Sequence, residues 1–171
     1  MKKTLEKNKK GFTLVEMLLY VAITGVIIFS ISIFLSIVLE ARVRNRTMAE
    51  VEQEGMRVMQ IISQVIRNSN VINSPTIGTS AASISLGVVD GAKNPTLFDF
   101  SSGVVRMKEG ASAYVSLTTS RLVVSNLTFT NLSRVSTPGT IRIQFTLTHT
   151  KTDSRDEYDY TRTFYGSASL R

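Results

Sequence analysis

An uncharged run of 23 residues, 17–39, limits this chain more than any other feature. At about 1.5 Å per helical residue it covers roughly 35 Å, enough to cross a bilayer core of about 30 Å. Such a segment crosses a membrane or is enclosed by other apolar helices. It is preceded by Lys9-Lys10-Gly11-Phe12-Thr13-Leu14-Val15-Glu16. A glycine therefore stands at a basic-to-apolar boundary, and one carboxylate stands inside the apolar flank. A lone acid there is costly to desolvate, so its presence needs a reason.

The formal net charge of +7 does not point to nucleic acid once its location is considered. The first eleven residues hold Lys2, Lys3, Lys7, Lys9 and Lys10 against Glu6, a local +4, which leaves +3 for the remainder. No later block interleaves Lys/Arg with aromatics, so no nucleic-acid partner is expected. The chain has no cysteine. That excludes disulfides, thiolate metal sites and a cysteine nucleophile, and an exported domain must be held by its core alone. A length of 171 residues allows one domain plus an extended element.

Three readings compete for the N-terminal segment. A secretory signal has an apolar region of about 7–15 residues and a small-residue cleavage site. Here the region is longer, and Glu40-Ala41-Arg42-Val43-Arg44 is a poor site. A plain anchor explains the length, and the five lysines favour a cytoplasmic N-terminus. Arg42, Arg44 and Arg46 on the far side weaken that preference without reversing it. An anchor explains neither Gly11 nor Glu16.

The third reading rests on order: basic run, Gly11, Phe12, Glu16 and an uninterrupted apolar helix. From Gly11 to about Val38 this resembles the processing segment of type IV prepilins and pseudopilins. The resemblance implies that a prepilin peptidase cuts between Gly11 and Phe12, and that Phe12 becomes the N-methylated N-terminus. Glu16, four residues on, matches the family's acidic residue. Cleavage creates a cation, the α-amine of Phe12, and in a helical assembly that amine can lie beside Glu16 of a neighbour. Removing Glu16 then strands a buried amine, at a cost on the order of 3–5 kcal/mol. The bland alternative is that Glu16 snorkels to the interface.

Within the run, Ser32 and Ser36 form a small-xxx-small pair that lets helices approach closely, unless their hydroxyls return to the i−4 carbonyls. Many major pilins carry a proline about twenty residues into the mature helix. Ile33 and its neighbours supply none. Beyond the run, Met48, Val51, Gly55, Val58, Ile62 and Val65 recur at spacings of three and four, a single helical stripe. Glu50, Glu52, Glu54, Arg57 and Arg67 fall off it. One helix from about Thr13 to Asn68 is expected, about 80 Å long. Gly55 either allows close packing of a sheet or marks a bend. Asn68-Ser69-Asn70 and then Ser74-Pro75 end the helix.

After Ser74 the pattern changes to alternation. Strands are expected at 83–89, 96–100, 103–108, 113–118, 121–132, 140–150 and 158–165. In 140–150, Ile141, Ile143, Phe145 and Leu147 face one way and Arg142, Gln144, Thr146 and Thr148 the other, as in an antiparallel sheet with one wet face. The alternation in 121–132 slips near Ser125-Asn126, which predicts a bulge or break. Ser101-Ser102-Gly103 reads as a turn. A small strand pair, Leu117-Thr118, a strand ending Leu127-Thr128-Phe129 and two final strands resemble the globular region of minor pilins and J-type minor pseudopilins.

Catalysis has little support. A Ser-His-Asp site needs His149, the only histidine, which continues the apolar parity of its strand and reads as a rim residue. Asp153, Asp156, Glu157 and Asp159 cluster in one loop, and some pseudopilins bind Ca²⁺ in such loops. The spacing fits no EF-hand and Lys151 and Arg155 intervene, so a solvated hairpin loop is the reading adopted. Asn126 and Asn131 head chance glycan sequons.

The expected fold is therefore α+β and pilin-like, a long N-terminal helix on an antiparallel sheet domain. Its divisions are a leader at 1–11, a transmembrane and filament-core helix at 12–39, an amphipathic continuation at 40–72 and an exported sheet domain at 73–171. The expected function is structural: a minor pilin or pseudopilin subunit of a type IV pilus or type II secretion pseudopilus. Partners are prepilin peptidase, other pilin subunits and inner-membrane lipid. No cofactor, metal or small-molecule substrate is expected. The N-terminus is cytoplasmic and the C-terminal domain extracytoplasmic, in a bacterial inner membrane. The alternatives are a competence-type pilus component aiding DNA uptake and a membrane-tethered enzyme or binding domain.

Overall fold

The computed structural model describes residues 11–150 and 159–171. Contacts divide the chain into two units, Met1–Arg42 and Val43–Arg171, and one helix, α1 (Leu14–Arg67), contributes to both. In the first unit every residue from 11 to 37 is exposed, including the large apolar side chains from Phe12 through Ile37. By length and composition α1 is able to cross a membrane. Ser30, Ser32 and Ser36 donate to the carbonyls of Val26, Ile28 and Ser32 at 2.9, 2.9 and 3.1 Å. Of the two expected uses of Ser32 and Ser36, the structure shows the return to the i−4 carbonyl. That bond satisfies each hydroxyl where water is absent.

The second unit joins the rest of α1 to two antiparallel sheets. Strands β1 (Ser69–Ser74), β3 (Ile84–Val88), β4 (Thr96–Ser101), β5 (Val104–Glu109) and β6 (Val115–Ser116) form one sheet in the order β1-β3-β4-β5-β6. Strands β2 (Ser80–Ala81), β7 (Leu122–Asn131), β8 (Thr140–His149) and β9 (Thr161–Ser169) form the other, in the order β2-β7-β8-β9. Val51, Val58, Ile62 and Ile66 of α1 share one core with Ile84, Leu86, Phe98 and Val105 of the first sheet. Phe129, Ile143, Phe145 and Leu147 of the second sheet join the same core. The result is an α+β, pilin-like architecture.

Of the seven expected strands, five keep both bounds to within one residue, 113–118 contracts by two residues at each end to β6, and the last runs Thr161–Ser169. The expected start of that last strand, Tyr158, lies outside the described residues. In β8 the inward side chains are Ile141, Ile143, Phe145, Leu147 and His149. The expected slip in β7 is a bulge. The register with β8 shifts between Ser125 and Thr128, and Asn126 has φ +54°. The added residue resets the parity, so Leu122 and Val124 before it and Leu127 and Phe129 after it all reach the core. At the β4–β5 turn Ser102 and Gly103 have φ +51° and +78°, the pair of positive values a type I′ hairpin turn requires.

Three expectations need correction. The helix ends at Arg67, within a residue of its expected end, but the stretch after it, expected only as its ending, holds a strand at Ser69–Ser74. The buried stripe is Thr47, Val51, Gly55, Val58, Ile62 and Ile66, while Met48 and Val65 are half-buried beside it. Thr47 is buried because its hydroxyl donates to the Val43 carbonyl at 3.1 Å. Glu50, Glu52 and Glu54, expected on the solvent side, are half-buried. Two of them join the helix to the sheet: Glu50 lies 3.7 Å from Arg121 and 3.9 Å from His149, and Glu52 pairs with Arg162 and accepts the Tyr160 hydroxyl at 3.1 Å.

Candidate processing and assembly site

Gly11, Phe12 and Thr13 precede the helix, carry no regular structure and are exposed. Thr13 occupies the N-cap position. Its Oγ1 accepts the Glu16 backbone N–H at 3.3 Å, and its carbonyl accepts the Met17 N–H at 3.2 Å. Thr13-x-x-Glu16 is the spacing of a capping box, a signal that the sequence carries and that the reading of Glu16 as an assembly residue passes over. The carboxylate thus stands in the first helical turn, where unpaired N–H groups concentrate positive charge. Phe12 packs edge-on against Tyr20, with ring centroids 6.0 Å apart at 67°.

This geometry separates two demands on the segment. A Cβ built on Gly11 meets nothing within 4 Å among the described residues, so no neighbour among them requires glycine there. The peptide after Gly11 is instead open to an external agent, as non-helical, exposed backbone is. A cut at that peptide would place a positive amine beside the positive end of α1, where the helix dipole disfavours it. Glu16 is the only acid between Phe12 and Leu39.

Elsewhere the structure brings the remaining candidates into structural roles. His149 is buried at the end of β8 with Nε2 toward Glu50 of α1. Asp153, Asp156 and Glu157 of the acidic loop lie outside the described residues, and Asp159 is exposed. A cavity of about 360 Å³ lies between the last turns of α1 and the first sheet, lined by Ile61, Gln64, Val88, Asp90, Lys93 and Glu109. Its Lys93 lies 3.4 Å from Glu109, and the Oδ1 of Asp90 accepts the Ala92 N–H at 3.0 Å. On the outer face of β4 and β5, Arg106 donates to Asp99 from Nε at 2.9 Å and Nη2 at 2.6 Å and lies 4.5 Å from the centre of the Tyr114 ring. The Asp99 hydrogen bond holds the guanidinium above its ordinary pKa.

Residues 7–32 match the family model described as the prokaryotic N-terminal methylation motif. The match supports a type IV prepilin-like family. It suggests a pilin-type protein processed by a prepilin peptidase and assembled with other pilins, in a family that is structural rather than enzymatic. With α1, it suggests a single-pass, membrane-anchored protein. Comparison with curated proteins and with solved structures finds no match.

Proposed function

We propose that the chain is a structural subunit of a type IV pilus or type II secretion pseudopilus, of the minor class. Prepilin peptidase cuts it between Gly11 and Phe12, and Phe12 is then N-methylated. Residues 12–39 anchor the subunit in the bacterial inner membrane with the N-terminus cytoplasmic, then form filament core. The exported sheet domain supplies specificity. The order of Leu117-Thr118, β7 and the two long strands β8 and β9 supports the J-type branch. The observation that carries the proposal is the methylation-motif match over 7–32, on a Gly11–Phe12 peptide that lies exposed before the helix.

Glu16 of one subunit pairs with the Phe12 amine of a neighbour. This reading accounts for a carboxylate that makes no ion pair among the described residues. The test is the N-terminal residue and its methylation in protein from cells with and without the peptidase. Methylated Phe12 is expected only with the peptidase, and an intact Met1 in peptidase-positive cells would defeat the reading. Glu16→Ala should be processed normally yet enter filaments at least tenfold less well, because the unpaired amine costs several kcal/mol. Normal entry would remove the pairing and leave the processing.

A further inference from the structure

Residues 40–46 of α1 belong neither to the apolar run nor to the packed stripe. The last large exposed apolar side chain before them is Leu39, and the first buried residue after them is Thr47. This short window carries Arg42, Arg44 and Arg46, all exposed. None makes an ion pair among the described residues, although Glu40 stands four residues before Arg44. Five basic residues of the sheet-bearing unit, Arg57, Lys93, Arg106, Arg121 and Arg162, each face a carboxylate, and the others without an ion pair among the described residues are scattered along the chain, so what sets Arg42, Arg44 and Arg46 apart is their clustering at the end of the apolar run.

We infer that Arg42, Arg44 and Arg46 form a collar that binds the phosphates of anionic lipid headgroups, in preference to zwitterionic ones, where α1 leaves the bilayer. The inference rests on the membrane-anchored reading above. Three physical points favour lipid over a protein or nucleic-acid partner. At about 100° per residue, Arg42 and Arg46 share one side of the helix and Arg44 lies nearly opposite. A flat partner meets one side of a helix, whereas headgroups surround it. The window is about 10 Å long, comparable to the headgroup layer of roughly 5–8 Å on each side of the hydrocarbon. Helical side chains also tilt toward the N-terminus, which carries each guanidinium back toward Leu39 and the membrane surface. Guanidinium forks match phosphate oxygens bidentately, so phosphate is the chemistry the collar takes. Such a collar favours retention of the subunit at the surface, and its contacts must be broken when the subunit leaves the bilayer.

The test uses the full chain reconstituted into vesicles of phosphatidylcholine containing a minor fraction of phosphatidylglycerol, with spin-labelled lipids of both kinds reporting the motionally restricted fraction. The leader lysines also attract anionic lipid, so the reading is the difference from a variant carrying Arg42→Gln, Arg44→Gln and Arg46→Gln. The wild type should select phosphatidylglycerol about fivefold more strongly than that variant, the factor expected from about one basic contact. Replacing the three by Lys should keep the part of the selection that charge alone carries and lose the part that bidentate pairing adds, so selection intermediate between the wild type and the Gln variant is expected. Equal selection by the wild type and the Gln variant overturns the inference. Selection abolished by added inorganic phosphate, under salt that spares the Lys variant, identifies a soluble-anion site and overturns it as well. Loss of subunit crosslinks in the Gln variant without a change in lipid selection assigns the arginines to a protein contact. Processing at Gly11 should be unaffected by all three changes. Failed processing with intact lipid selection would therefore fault the pilin reading and not the collar.

Discussion

Gly11 and Gly55 stand in opposite surroundings. Gly11 has open space around it among the described residues. Gly55 has none, since a Cβ built there overlaps the Phe164 ring of β9, which itself stacks on Phe145 at 5.4 Å between centroids. The sequence shows Gly55 on the buried stripe and leaves close packing and a bend as equal options. Its partner lies more than a hundred residues away, and no spacing rule links the two. Gly55→Ala should destabilise the sheet-bearing unit by about 1–3 kcal/mol through overpacking. Phe164→Leu should recover part of that loss in the double variant, read by denaturant midpoint in detergent. An alanine variant as stable as the wild type would show that the ring moves aside freely.

At the scale of elements, the sequence is most legible where a single periodicity runs long. The 54-residue α1 and the ten-residue β7 and β8 are all visible as patterns, and so is the reset of parity at Ser125-Asn126. β1 escapes because Ser69-Asn70-Val71-Ile72-Asn73-Ser74 buries only Ser69 fully and does not alternate. Its place comes from pairing with β3, with two register shifts, so tertiary contact overrides a weak local pattern. β2 is two residues long and is set by its neighbours. The segment before it is fixed by Asn131, which reads as nothing more than a sequon in the sequence. Asn131 is 2% exposed, and its Nδ2 donates to the Pro75 carbonyl at 2.7 Å while its Oδ1 accepts the Ser133 N–H at 3.0 Å. Asn131→Leu leaves both backbone groups without these partners and should cost about 2–4 kcal/mol, with earlier hydrogen exchange in residues 75–80. A change of only a few tenths of a kcal/mol would mean that the loop is held by its backbone bonds to β7 alone.

For the molecule as a whole, the deciding fact is where burial begins. Among the described residues none before Thr47 is buried, and the core draws only on residues from Val51 onward. No described residue of the first unit belongs to that core, and its exposed apolar side chains depend on lipid or on other subunits for cover. This division is legible in the sequence as a change from an all-round apolar helix to a stripe, because burial against one's own sheet leaves a polar face and burial in lipid does not. What the sequence could not show is how Glu50 and Glu52 would be used. Acids off a stripe read as solvated, yet here they reach Arg121, His149, Arg162 and Tyr160 on the facing strands. Those contacts all lie within Val43–Arg171. A chain begun at Val43 should therefore be soluble without detergent, monomeric by size exclusion, and unfold in one cooperative transition. Its midpoint should match the sheet-bearing unit of the full chain in detergent to within a few degrees. Aggregation, or a broad transition that sharpens only when residues 14–42 are restored, would show that the apolar half of α1 is needed to fold the sheets and that the boundary at Arg42 is not a folding boundary.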